Sequence, residues 1–512
     1  MTRHLNHNHP ARARQQSTSK ANESIGTMVE NLRQPWTQAV SDNLLMRLIV
    51  HENLPFRLVE SPHLRALLLY QRPSIQIPKS ADTARGWAIT DYGKTKSQVR
   101  ELLKNALTSV HLSIDGWTSP QQTMAVLGII AHFVGANGRL YGIVLGFEEL
   151  DGPHSGNNMA ESVLKVVEDY GITSSVGYLV MDNASSNDTL AQELGCRLVL
   201  PNWTWEERRL RCFGHVVNLS VRSFWFGERT SKARGKDVLE MIIVDREEKE
   251  SDEGRWREMG PWGKIHNICN YIRSSTQRRK AFTKVGAPKM VTGENATRWN
   301  TGYMMVTSAL ELRNYIQVFC DQNPDLNDDT LNHDEWQQLG AVHQILKPFW
   351  ESTKRMECRT VTTSMVIPQL EFLSFRYREV ITKYAASRDK HVVQAANLGL
   401  AKLEKYYNII KEIPVYNAAV VLDPRQKFRF FESLAWPARD IKNSKDQVTD
   451  LWEIQYNRHD TRQRSPILGP ERALDEFSQW DSKKRRLTKG DELEQYLAEP
   501  TELGSIELDY IE

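Results

Sequence analysis

Two aspartates, Asp115 and Asp182, each close a short run of β-branched and apolar residues, and this is where the sequence can do chemistry. Asp115 follows residues 110–114, with Gly116 permitting a turn directly after it; Asp182 follows residues 175–181, SVGYLVM. A carboxylate at a strand end is a candidate metal ligand. Two of them on neighbouring strands repel each other unless cations lie between them. Their hard oxygens suit Mg²⁺ or Mn²⁺, and a pair of such ions about 3.5–4 Å apart serves in-line attack on a phosphodiester. Taken singly, each Asp is also ordinary turn vocabulary, DG at 115–116 and DN at 182–183. The case therefore rests on the two together and on the elements that bring them side by side.

Those elements follow from hydrophobic periodicity. Residues 124–134 are almost unbroken in apolar character, as for a strand covered on both faces, and Asn137-Gly138 marks a hairpin into a third strand over 140–147. The period then changes to 3.6: Ser155 can cap a helix whose apolar positions are 159, 163, 166, 167 and 170, and Gly171 ends it. A helix over 185–197 follows Asp182, and 208–213 allow a short fifth strand. The order β-β-β-α-β-α-β is that of ribonuclease-H-like folds, in which the first and fourth strands are parallel neighbours about 4.8 Å apart. The expected fold class is α/β, a ribonuclease-H-like mixed sheet interrupted by a large all-α insertion domain placed after the fourth strand.

The rest of the chain divides by composition. Residues 1–40 read as a disordered polar tail, 41–109 as an amino-terminal helical region with a helix near 42 and an extended LPFRLVE segment, and 110–226 as the core holding Asp115 and Asp182. A hydrophilic loop spans 227–260, and an α-helical insertion 261–457, with stripes at Trp336, Leu339, Leu346, Phe349 and Trp350 and helices over 365–385, 391–411 and 426–456. Residues 458–512 form a polar tail leading into a further region. With a net charge of +2, affinity for a polyanion has to come from local basic patches such as Arg278-Arg279-Lys280. Five scattered cysteines argue against a disulfide framework and for a reducing compartment, and no run reaches the ~18 apolar residues of a membrane span. Cys212 and His215 make half a zinc site at best, so no structural zinc is expected; the pair reads as packing at the start of a helix over 215–226.

Six stretches in register resemble the hAT family of DNA transposases, particularly its fungal branch: SIDGWTS at 113–119, MDNASSND at 181–188, RCFGHVVNL at 211–219, GKIHNICNYIRSSTQRR at 263–279, TRWNTGYMM at 297–305 and YYNIIKEIPVYNAAVVLDPRQKFRFFE at 406–432. The resemblance implies that Asp115 and Asp182 are the first two acidic residues of a catalytic triad. It further implies that Trp117 and the Arg298-Trp299 pair lie near the cleaved DNA end and that His215 faces the DNA. On chemistry alone, Trp117 offers a ring on which a base could stack, Arg298 a fork for phosphate oxygens, and Trp299 either a stacking surface or a buried helix residue.

The chain departs from the family in two places. No CxxC is present for an amino-terminal BED zinc module, and the carboxyl-terminal dimerisation region is met only at its beginning, in residues 491–512. The third carboxylate is a Glu in the family; Glu494, Glu499 and Glu512 stand in no matching motif, and none is assigned. The expectation is thus a truncated, hAT-type transposase-like DNA-binding protein whose metal-dependent cleavage and strand-transfer site is incomplete. The alternative is a non-catalytic DNA-binding or regulatory protein derived from a transposase. DNA is the expected partner, with self-association weakened by truncation, no membrane and no small-molecule substrate. Lys483-Lys484-Arg485-Arg486 suggests nuclear residence.

Overall fold

The computed structural model describes residues 36–119, 124–150, 152, 155–198, 200, 203–230, 256–257, 259–294, 299–358, 362–386, 391–455 and 492–501. It divides into two compact units, residues 1–106 and 107–512. In the first, α1 (Gln38–His51), α2 (Pro62–Gln71) and α3 (Ala81–Lys104) surround a small core of Met46, Ile49, Val59 and Ala84. Thr37, Ser61 and Ser80 cap the three helices, each accepting a backbone N–H of the first turn. The LPFRLVE segment is not extended as expected: after Pro55 it winds into a 3₁₀ turn, Phe56–Glu60, which buries Val59.

The second unit is built on a five-stranded mixed sheet in the order β3-β2-β1-β4-β5, with β1 Val110–Thr118, β2 Ala125–Val134, β3 Leu140–Glu149, β4 Val176–Met181 and β5 Arg209–Arg211. β1 to β3 form an antiparallel meander, and β4 and β5 add in parallel on the other side of β1. This is the ribonuclease-H-like arrangement expected from the order of elements. Between β3 and β4 runs α4 (Gly156–Asp169), capped by the Ser155 hydroxyl and closed at Gly171, whose φ is 70°. Its stripe of Met159, Val163, Val166 and Val167 is buried, and Gly146 on β3 leaves room for Val166, whose methyl lies 2.9 Å from where a Cβ would stand.

Two strand readings need correction. Asp115 does not end β1: the antiparallel partner β2 carries the strand on to Thr118, Gly116 pairing with Leu127 and Trp117 with Val126. β2 is also not covered on both faces. Leu127, Ile129, Ala131 and Phe133 are fully buried on one side, while Ile130 on the other is 36 % exposed.

After α5 (Ser185–Leu198), a single turn α6 (Trp205–Arg208) leads into β5, and the helical part begins at α7 (Phe213–Thr230). It therefore follows the fifth strand rather than the fourth, because β5 pairs with β4 before the chain turns helical. α8 (Pro261–Arg273), α9 (Thr276–Lys284), α10 (Trp299–Glu311), α11 (Arg313–Asp321) and α12 (His333–Met356) enclose a core around Ile265, Phe319 and Trp336. α13 (Val366–Tyr384), α14 (His391–Lys411) and α15 (Pro414–Val421) pack with α7 around Val217, Tyr377 and Leu403. The single helix expected over 426–456 is two, α16 (Arg429–Ser433) and α17 (Ala438–Gln455), interrupted at Pro437, which lacks the N–H a helix interior requires. α18 (Glu492–Ala498) adds Leu493 to the same core. No helix among the described residues is long and apolar enough to cross a membrane.

Candidate functional site

The parallel register sets the site. Leu112 pairs with Leu179 and Ser113 with Val180, so two residues further on Asp115 and Asp182 stand level on neighbouring strands and on one face. β5 repeats the relation: Val180 pairs with Leu210 and Met181 with Arg211, and the Cys212 N–H donates to the Met181 carbonyl at 2.9 Å. Cys212 thus stands beside Asp182 as Asp182 stands beside Asp115.

The two carboxylates have different surroundings. Asp115 is exposed on β1, two residues beyond Ser113, whose hydroxyl meets His132 Nε2 at 2.9 Å. Asp182 is held where β4 gives way to α5: its Oδ1 accepts from the Ala184 N–H at 3.0 Å and from Asn187 Nδ2 at 2.6 Å. From below, the buried Arg209 donates to the carbonyls of Asp182 and Ala184 at 2.9 and 3.2 Å and pairs with Asp188, which Arg211 also reaches at 3.2 Å. Asn187 and Arg209 were not singled out from sequence, although a DNxxxN spacing after a strand signals an Asx turn leading into a helix.

The electrostatics converge on Cys212. Burial pushes its thiol up, hydrogen bonds from the Gly214 and His215 N–H groups pull the other way, and the carboxylates of Asp115 and Asp182 push it up again. The thiol is therefore a neutral neighbour of the acidic pair, seated at the start of α7. Deeper in the same sheet His111 is held near 4, first by burial, then by the Arg208 guanidinium and His132, and its Nδ1 accepts the Tyr178 N–H at 3.0 Å. Tyr416, from the distant 406–432 stretch, closes the site's edge: its hydroxyl accepts the Arg211 N–H at 3.0 Å.

The other expected residues separate. Trp117 is 53 % exposed two residues past Asp115, a ring with a face available. His215 is half-buried in the first turn of α7. Trp299 is only 3 % exposed, packed among Trp225, Tyr303 and Trp350, with its backbone N–H on Asn218 Oδ1 at 3.1 Å; its ring is taken up by the core rather than presented to a base. Arg298 lies outside the described residues, as do Glu512 and the Lys483–Arg486 cluster. The basic run opens α9, where Arg279, Lys280 and Lys284 are exposed and Arg278 lies over the Tyr271 ring at 3.5 Å. Among the described residues no three His, Cys, Asp or Glu side chains converge closely enough to enclose a metal ion.

Residues 113–207 match the ZBED1 RNase-like domain, and residues 210–345 match the ZBED1 RNase-like helical domain. The chain is an hAT-type transposase-like protein. It is 27 % identical over 482 residues to the candidate transcriptional regulator tpeD of Talaromyces stipitatus, covering 90 % of this chain and 53 % of the relative. It is 22 % identical to the zinc finger BED domain-containing protein RICESLEEPER 2 of Oryza sativa, covering 77 % of this chain and 50 % of that protein. With a candidate AC transposase of Zea mays it shares 23 % identity over 78 % of this chain and 46 % of the relative. The hAT-type chain thus spans about half the length of the curated relatives it matches.

Proposed function

We propose that this transposase-derived protein binds DNA across the face that carries Asp115 and Asp182, and that these two are the acidic pair of a two-metal phosphodiester site. The observation that carries the reading is the parallel register, which sets the two carboxylates level on neighbouring strands. Their oxygens are the donors Mg²⁺ and Mn²⁺ take, and such ions, when bound, supply an activated nucleophile and charge neutralisation at the leaving oxygen. This chain's own contribution is to fix Asp182 through Ala184, Asn187 and Arg209 and to present Trp117 for base stacking beside Asp115.

Among the described residues no third ligand joins the pair; two carboxylates alone hold cations weakly, and the reading we propose is one without strand cleavage. Phosphate contacts need only local positive charge, which Arg279, Lys280 and Lys284 offer on α9. A regulatory rather than catalytic role is the second reading, favoured by the match to tpeD along most of the chain. Nuclear residence accords with either.

The test is retention of labelled duplex by the purified protein across a salt series, beside an Arg279→Glu, Lys280→Glu variant. Affinity should fall with salt and the variant's slope should be shallower by about 2, one unit for each lost phosphate contact. Absence of salt-dependent retention would remove the DNA-binding reading.

A further inference from the structure

We infer that β3, the outer strand of the sheet, pairs antiparallel with β3 of a second copy of this chain. Within the described residues its outer edge carries no backbone hydrogen bond beyond the ladder to β2. It is ten residues long without a Pro or Lys to discourage pairing, and two large apolar side chains stand out from one face, Val144 at 62 % and Phe147 at 66 % exposure. A long edge of this kind, charged only at its end by Glu148 and Glu149, is a template for another strand.

The second copy is singled out by the bulge in β3. The register against β2 jumps between Val144 and Gly146, so that Leu145 and Gly146 both lie on the covered face, Leu145 buried and Gly146 against Val166. Residues 142–145 consequently read exposed, half-buried, exposed, buried, and residues 146–149 read buried, exposed, half-buried, exposed. That pattern is a palindrome about the point between 145 and 146. A bulge ordinarily turns an edge away from partners, but here a two-fold axis through it matches face to face along the whole span. Leu145 then opposes Gly146 of the partner, and Val144 opposes Phe147, so the two most exposed apolar side chains of this span cover each other twice about the axis. The axis runs perpendicular to the sheet, so both carboxylate-bearing faces point the same way. The two β1 strands lie five strand spacings apart, about 24 Å.

Sedimentation velocity of the whole chain tests this. A dimer is expected in the micromolar range, and Val144→Lys, with an unchanged circular dichroism spectrum, should weaken it at least tenfold. Leu140→Lys is the control: Leu140 is 74 % exposed but lies outside the paired span, so the dimer should persist. In a Cys196→Ser, Cys358→Ser background, chains carrying Val144→Cys should form disulfides with chains carrying Phe147→Cys faster than either forms alone. A monomer at every concentration, a dimer indifferent to Val144→Lys, or equal loss from Leu140→Lys would each overturn the inference.

Discussion

Replacing Arg209 with Met removes the group that ties the Asp182 loop to the sheet. Arg209 is 1 % exposed, and one of its amino nitrogens serves both the Asp182 and the Ala184 carbonyls, at 2.9 and 3.2 Å. Hydrogen bonds from a charged donor contribute about 1.5–3 kcal/mol each, less than double here because the two share one nitrogen. The ion pair adds little: the Asp188 side chain is 40 % exposed and keeps Arg211 at 3.2 Å. Met preserves most of the packed volume, so Arg209→Met should cost about 2–4 kcal/mol in urea unfolding, and Arg209→Lys a similar amount, because a buried ammonium is a strongly hydrated point charge without the guanidinium's planar fork. A loss under about 1 kcal/mol in both would mean that the loop is held by something other than this guanidinium.

Three further outcomes follow from the same geometry. His111, held near 4 against 6.5 when unfolded, refuses a proton that the unfolded chain accepts, so its contribution is full above pH 6.5 and lost as pH falls through 4. The difference is worth about 3 kcal/mol, and unfolding measured at pH 7 and pH 4.5 should show a smaller pH dependence in His111→Gln than in the original. Gly177→Ala places a Cβ 2.4 Å from His111 Nδ1, which the Tyr178 N–H holds in place, and should destabilise by about 1–3 kcal/mol in the same assay. Trp117→Ala should weaken DNA retention by about 1–3 kcal/mol without moving the unfolding midpoint, since the ring is half in solvent.

The fold was legible in the sequence where burial imposes a period. The stripe of α4 and its Ser155 cap, the hairpin at Asn137-Gly138 and the two strands that carry Asp115 and Asp182 all stand as the residue pattern indicates. What the pattern hid was pairing. A residue's place along β1 depends on how far β2 accompanies it, so Asp115 lies within the strand although Gly116 after it reads as a turn. Burial by distant residues was hidden too: Trp299 lies among Trp225 and Trp350, which no local window relates to it. The supports of Asp182 were partly visible, Asn187 through its spacing and Arg209 not at all, because a buried arginine on a three-residue strand has no sequence signature.

The proposal of a DNA-binding face with an acidic pair, joined by no third ligand among the described residues, is tested by following nicking and retention together. Labelled duplex is incubated with the protein in Mn²⁺ and in Mg²⁺ beside an Asp115→Ala, Asp182→Ala variant. Salt-sensitive retention by both proteins and nicking by neither are expected, since two carboxylates alone leave the ions underligated. Nicking by the original protein that the double variant lacks would contradict this expectation.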